Sequence, residues 1–381
     1  MSLNLFTGTE QDAIINFPTA YQLILERIEL VNPIQYSKTR NFINGAVTYL
    51  SPYISRGVIT VKQVMDIILQ KGFKPSQIEK FLQELAWREY FQRVMQHAGD
   101  NIWGDLKQPQ PDVAHHEMIS SINTAATGIR AIDVLISHLY ASGYMHNHAR
   151  MYLASIACNV AKAHWLQPSK WMYYHLLDGD IASNNCSWQW VSAAFASRKY
   201  YCNQENINKY TGSNQRNSFM DKPYDSITAM PVPEALQQRM QLQLKTTLPA
   251  TKQPVIDIAK PTLIYNSYNL DPLWRQDEDL NRILLLEPSH FERYPVSEKV
   301  LRFIIELSGN IDGLQLYAGE IEDIKLLYKN TSLKNDGIVS KEHPAFNYPG
   351  IKDERQWMFP QVTGYYNSFF SFWKKCEKYL S

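Results

Sequence analysis

The stretch Asp178-Gly-Asp-Ile-Ala-Ser-Asn-Asn-Cys-Ser-Trp-Gln-Trp190 gathers two carboxylates, two adjacent asparagines and two indoles in a short span of an otherwise mixed sequence. Gly179 between Asp178 and Asp180 reads as a helix stop, so both acids are expected on a turn and not on a regular helical face. In the helix that follows, Asn184 and Trp188 are four apart and fall on one side. A carboxamide beside an aromatic ring, with oxygen acceptors on the turn before it, suits a flat ligand with a heteroatom edge. The same residues also read as a Gly-stopped helix, a polar cap and a buried Trp pair, and composition does not choose between the two.

Outward from this stretch, the first half of the chain is patterned for helices. Pro18 to Ile28 opens with proline in a first turn, and Thr60 starts a helix that Gly72 ends. Ser76 and Glu79 have capping-box spacing ahead of a long amphipathic run, Gln77 to Ala98, that stops at Gly99. Ile129 to Ser142, His146 to Trp165 and Ser169 to Leu177 continue the pattern, with Ser169 as the expected N-cap of the last. No strand periodicity shows before about residue 210. Asn203 to Lys260 turns polar and proline-bearing, which reads as a connector with one short helix around 233 to 244. Beyond it, runs beginning at Pro261, Arg282 and Gly313 are short, apolar and bounded by Pro or Gly, and they alternate with helical stretches Ser297 to Ser308 and Glu320 to Lys329. That alternation predicts a small parallel α/β domain with right-handed crossovers, with Gly337 to Lys341 as a further strand and Tyr365 to Tyr379 as a closing aromatic helix.

The totals bound the function. With 381 residues, 45% hydrophobic and 20% charged, the chain has the composition of a folded globular protein with room for two cores. A formal charge of +1 gives no global attraction to nucleic acid, so any such contact needs a local basic face. Cys158, Cys186, Cys202 and Cys376 form no C-x-x-C pair and no dense framework, which argues against structural metal and disulfide stapling and for reduced thiols in a cytosol. The start, Met-Ser-Leu-Asn-Leu-Phe-Thr-Gly, lacks a basic leader pattern, and nowhere do eighteen apolar residues run together, so neither targeting nor a membrane span is expected. Nine Trp and twenty-three Tyr are more indole and phenol than a core ordinarily needs.

Three further groups carry chemistry. Glu84, Trp87 and Arg88 share one helical stripe, which alone also reads as a solvated ion pair beside a half-buried Trp. Asn147, Arg150 and Met151 repeat the spacing, where packing is again the plain reading. Thr48-Tyr-Leu-Ser51-Pro52 places two hydroxyls before a helix start, a donor arrangement for phosphate oxygens that also serves as a cap.

Together these groups resemble the photolyase/cryptochrome family, whose helical domain runs Y-x-x-x-R, T-S-x-L-S-P, E-L-x-W-R-E-F, G-W-M-H-N-x-x-R-M and D-G-D-x-A-x-N-N-x-x-W-Q-W in that order. Here the counterparts are Tyr36 to Arg40, Val47 to Pro52, Glu84 to Tyr90, Gly143 to Met151 and Asp178 to Trp190, a resemblance over about residues 20 to 210. It implies an all-helical domain holding FAD in a folded form. Tyr36, Thr48, Leu50 and Ser51 would lie on the diphosphate side. Arg88, Asn147, Arg150, Asp178 and Asp180 would edge the flavin and its sugar, and Asn184 would face flavin N5. Glu84, Trp87, Met151 and Trp190 stand where members that split cyclobutane pyrimidine dimers grip the flipped lesion. Members acting on (6-4) lesions have His where this chain has Asn147 and Met151, which disfavours that specificity.

The chain departs from the family at Val47, at Tyr144 and in its electron-transfer residues. Trp188 and Trp165 occupy the first two places, but Asp112 stands where the usual surface Trp aligns. There is no four-cysteine pattern like that of the iron–sulfur branch. The order of domains also differs. The antenna-like α/β pattern comes last, a circular permutation, so that the resemblance implies a helical FAD-binding domain at 1–212, a connector at 213–260 and a Rossmann-like α/β domain at 261–381, with any antenna chromophore unidentified. The function implied is light-driven repair of UV-damaged DNA in the cytoplasm, without metal or membrane, with Glu84, Asn184, Trp188 and Trp165 as the catalytic set and Arg40, Arg56, Lys62, Arg198 and Lys199 as a basic rim. A light sensor that binds FAD without repair is the alternative, and a nucleic-acid binder that has lost light function is a third.

Overall fold

Thr60 accepts a hydrogen bond from the Gln63 N–H at 3.1 Å and so begins the helix Val61–Gln70, as its side chain predicts. This is the computed structural model of the chain, and it describes residues 15–380; the N-terminal octapeptide weighed above for targeting lies outside them. Ser76 does not repeat the device. Pro75 draws Pro75–Gln77 into a 3₁₀ turn, and the long helix Glu79–Ala98 starts after Ile78, with no side-chain cap. The run from His146 to Trp165 is not one helix either. Asn147–Ala154 passes into a π-helical turn, Ser155–Val160, and the chain breaks at Lys162, whose φ is +62°. Leu166–His175 then begins three residues before the expected cap: Pro168 fits a first turn, and the Ser169 hydroxyl bonds back to Leu166 O at 2.8 Å.

Two compact units result. The first consists mainly of Asn32–Thr48 and Ser76–Gln243, the second of Pro18–Val31, Tyr49–Pro75 and the chain from Leu244 on. Both boundaries differ from the sequence reading, for identifiable reasons. Helices Gln204–Thr211 and Tyr224–Ala229 form inside the supposed connector, where Asn203 caps the former by accepting from Asn206 N at 2.9 Å. The helix expected around 233 to 244 is a single turn, Glu234–Leu236. Strand β1 (Met118–Ile119) pairs antiparallel with β2 (Arg239–Met240), which ties that stretch to the first unit. Only the part after Leu244 runs with the sheet, where Val255 and Gln315 exchange hydrogen bonds of 2.8 and 2.7 Å.

The second unit is built on β3 (Thr262–Tyr265), β4 (Asn281–Leu286), β5 (Leu314–Ala318), β6 (Ile338–Lys341) and β7 (Ile351–Asp353). The sheet is parallel throughout, in the order β5-β4-β3-β6-β7, so the winding reverses between β3 and β6. All four residues of β3 are buried, as a central parallel strand requires. The helices Glu298–Ser308 and Ile321–Tyr328 are the predicted crossovers, and Ser297 caps the first. Two early segments complete this unit: Tyr53 packs on Phe303 with ring centroids 6.0 Å apart, and Asn310 accepts from Tyr21 N at 2.8 Å.

Candidate functional site

Asp178 and Asp180 sit on the predicted turn, both buried. Glycine is favoured there by close approach, since a Cβ at position 179 would lie 3.0 Å from Leu176 O and 3.1 Å from Tyr173 O, tighter than most side chains come to backbone. Asp180 caps the helix Ile181–Ser192 through Ser183 N at 2.7 Å. Its other oxygen accepts from Gln92 Nε2 at 2.7 Å and lies 3.5 Å from Arg88 Nη2, so the long helix and the turn are locked together by residues from both. Arg150 grips Asp178 with one nitrogen, Nη2, at 2.9 and 2.8 Å, and donates Nε–H to Met145 O at 2.8 Å. Its Nη1 has no partner among the described residues. A half-buried guanidinium with an uncommitted edge, beside a desolvated carboxylate, is a donor set that fits an electron-rich heterocycle and its hydroxyls.

Asn184 is half-buried and donates from Nδ2 to Ser169 O at 3.0 Å, which leaves its oxygen to accept. Asn147 is exposed at the first turn of its helix. Tyr36 packs edge-on against Phe81 at 5.3 Å, with its hydroxyl pKa raised by burial and by Glu84. Thr48 closes a segment of the first unit, whereas Leu50 and Ser51 belong to the second, where Ser51 opens the short helix Ser51–Ser55.

Glu84, Trp87 and Arg88 share a half-buried stripe, as their spacing requires. Glu84 is held by two cations, Arg40 Nε and Lys80 Nζ, each at 3.1 Å. Trp87 lies against Tyr90 and Phe91 at 5.8 and 5.3 Å. Met151 is half-buried, Trp188 is buried in the helical core, and Trp190 turns outward, 39% exposed and 5.9 Å from Tyr200.

The basic rim needs correction. Arg56 is fully buried, donating to Ser267 O at 3.2 Å and lying over the Tyr268 ring, so it cannot face DNA. Lys199 is paired with Asp112 at 2.8 Å, Lys62 with Asp66 at 2.6 Å and Arg40 with Glu84, while Arg198 is exposed. Gln92, Lys80 and Tyr200 were not singled out from sequence. Gln92 alone left a trace there, as an amide one turn past Arg88 on the same helix. His146, deep in the first unit, has its pKa pushed down to about 3, chiefly by burial, and its Nδ1 accepts from His148 N at 3.1 Å.

Among the described residues no cluster of three or more His, Cys, Asp or Glu is placed to hold a metal, and no helix is long and apolar enough to cross a membrane. All four cysteines are free and buried.

Residues 81–248 match the family model for the FAD binding domain of DNA photolyase. The deoxyribodipyrimidine photo-lyase of Streptomyces griseus is 29% identical over 149 residues, 39% of this chain and 32% of that protein. That of a Synechococcus strain is 30% identical over 169 residues, 42% of this chain and 35% of that protein. The chain thus spans about a third of the length of these relatives. A solved cryptochrome of Synechocystis covers 52% of this chain and 44% of its own at 21% identity and a TM-score of 0.48. The matched segment holds Asp178, Asp180 and Asn184 together with the Glu84 stripe, and it is this part of the chain that is similar to the FAD binding domain of DNA photolyase.

Proposed function

We propose that the chain is a light-driven, FAD-dependent enzyme that splits cyclobutane pyrimidine dimers in DNA. The observation that carries this reading is the Arg150–Asp178 pair with its open guanidinium edge, set on the same framework as the Glu84, Trp87 and Trp190 side chains. When bound, FAD supplies the photochemical electron transfer, which no side chain can replace. The chain's own part is positioning. Arg150, Asp178 and Asp180 would hold the ring and sugar edge, with Arg88 and Asn147 at its margin, and Tyr36 and Thr48 on the phosphate side. Asn184 would offer its oxygen at N5.

Lesion binding would fall to Glu84, Trp87, Met151 and Trp190. Extruding a damaged base pair costs a few kcal/mol. Stacking on an aromatic face returns about 1–3 kcal/mol per base, so Trp87 and Trp190 are sufficient to offset it. Glu84 would exchange Arg40 or Lys80 for the lesion, freeing a cation for a phosphate. In this reading the parallel C-terminal sheet is the permuted counterpart of the antenna domain, its pigment unassigned.

The test is incubation of the purified protein with a thymine-dimer oligonucleotide under blue light and in darkness, with bound flavin measured by absorption. Light-dependent loss of dimers is expected. Flavin with no repair would instead select a light sensor, the reading favoured by Asp112, a salt-bridged surface residue at the place of the usual terminal indole.

A further inference from the structure

The buried indole of Trp165 has a base of its own. Its Nε1–H donates to Asp105 Oδ1 at 2.7 Å, and the ring is fully buried. The same carboxylate oxygen lies 3.3 Å from His164 Nε2, and Asp105 Oδ2 accepts from Gln110 N at 2.8 Å. His164 Nδ1 accepts from Leu166 N at 3.3 Å, which assigns the ring proton to Nε2 and points it at Asp105. Burial lowers the pKa of this imidazole, and the His116 ring stacked on it at 4.8 Å also lowers it, against the opposing pull of Asp105. Three N–H groups therefore converge on Asp105, and among the described residues no Lys or Arg pairs with it. Its side chain is 21% exposed, so a proton it receives has a way to water.

Two other indoles show what sets this one apart. Trp274 also donates to a carboxylate, Asp353, at 2.8 Å, but Arg275 covers both oxygens of that group at 2.8 and 2.9 Å. Burial raises the Asp353 pKa, and the hydrogen bonds of Arg275 and Trp274 outweigh it and leave it lowered. Trp171 donates only to the Tyr140 hydroxyl, at 3.1 Å. Trp165 alone of the three combines full burial with an uncompensated carboxylate acceptor.

We propose that Trp165 and Asp105 form a proton-coupled redox site. One electron leaves the indole for a photoexcited oxidised flavin. In the same event the Nε1–H bond breaks and an O–H bond forms on Asp105, so that the products are a neutral indolyl radical and a carboxylic acid. The electron ends on the flavin, and His164 keeps its own proton and stabilises the carboxyl through its hydrogen bond. An oxidised indole is a far stronger acid than indole itself, so a base already in contact traps the oxidised state. The connection to the site is short: Asn184 Nδ2 donates to Ser169 O at 3.0 Å, and Ser169 N donates to Trp165 O at 3.0 Å. The inference rests on the flavin reading of that site, and it removes the need for an indole at position 112.

Transient absorption after a blue flash on the flavin-loaded protein separates neutral from cationic indole radicals. Wild type is expected to give the neutral radical, with formation slowed in deuterated solvent. Asp105→Asn keeps an oxygen for the hydrogen bond but is a far weaker base. It should give the cation, shortening the charge-separated lifetime on the order of a hundredfold, the scale of a lost positioned base. Asp105→Glu should restore the neutral radical, which also covers the case in which Asp105→Asn fails to fold. Trp165→Phe should abolish the signal and Trp274→Phe should leave it unchanged. A neutral radical that persists in Asp105→Asn or in Trp165→Phe overturns the assignment. If the purified protein binds no flavin, the site reading fails separately. The same variants flashed with a soluble ruthenium polypyridyl photo-oxidant then decide the Trp165–Asp105 pair, with the same Asp105 dependence expected and its absence overturning it.

Discussion

Arg150 in the first unit and Arg275 in the second both hold an aspartate, yet their donors are deployed differently. Arg275 commits Nε and Nη2 to Asp353 and Nη1 to Glu278, so its whole edge is satisfied by protein. Arg150 commits Nη2 to Asp178 and Nε to a carbonyl, and holds Nη1 in reserve. The first pattern closes a structure; the second leaves it open to a ligand. Two arginine–aspartate pairs with like distances thus differ in kind, and the difference is read from what the guanidinium does not bind.

Asp178→Ala tests that contrast most severely. With its partner gone, the half-buried Arg150 charge is left without its carboxylate, and the variant should lose about 3 kcal/mol in urea unfolding of the flavin-free protein and should no longer retain flavin when purified. Asp353→Ala, at a pair about a quarter exposed on each side, should cost about 1 kcal/mol and leave flavin content intact. Equal losses at the two sites would erase the distinction.

Glu84→Ala should lower the rate of dimer splitting roughly tenfold to a hundredfold, the worth of a charge-assisted hydrogen bond, with flavin content unchanged. Unaltered repair would remove Glu84 from the lesion contacts.

A pH series compares the two units through one histidine each. His146 and His290 are both driven down to about 3, mainly by burial, so the folded protein resists protons that the unfolded chain accepts. Their contribution is fully present above about pH 6.5 and is lost as pH falls toward 3, at roughly 1.4 kcal/mol per pH unit for each histidine. His146→Gln or His290→Gln should each reduce the slope between pH 6 and pH 5 by one proton; an unchanged slope would exclude that histidine. Thr60→Ala, a lost helix cap, should match Asp353→Ala in size, costing about 1 kcal/mol in urea unfolding with no change in flavin binding.

How much of this was legible in the sequence depends on the range of the interaction. The Asp178 to Trp190 turn and helix, the helix starts at Thr60 and Ser297 and the strands β3 to β6 are set by neighbours within a few positions, and these were found within a residue or two, whereas the short edge strand β7 was not. The π turn at Ser155–Val160 was not, because it is matched to a distant partner: the Asn159 amide donates to Val191 O and Tyr200 O at 3.1 and 2.7 Å. Arg56 looked like a surface cation, since nothing nearby announces the Ser267 carbonyl that takes it into the core. Glu84 was marked as a site residue from its stripe, but the hold that Arg40 has on it spans 44 positions and carries no local signature.

The second unit is assembled from three separate pieces of chain, and that has a cost during synthesis. The helix Tyr21–Glu29 finds Asn310 only 289 positions later. At about 5–20 residues per second, its apolar edge waits on the nascent polypeptide for roughly fifteen seconds to a minute before its partner leaves the ribosome. A fragment cut after residue 243 would never receive that partner, nor Phe303 for Tyr53. Expression of the helical half alone should therefore yield a chaperone-bound or aggregated product, whatever the merit of its flavin site.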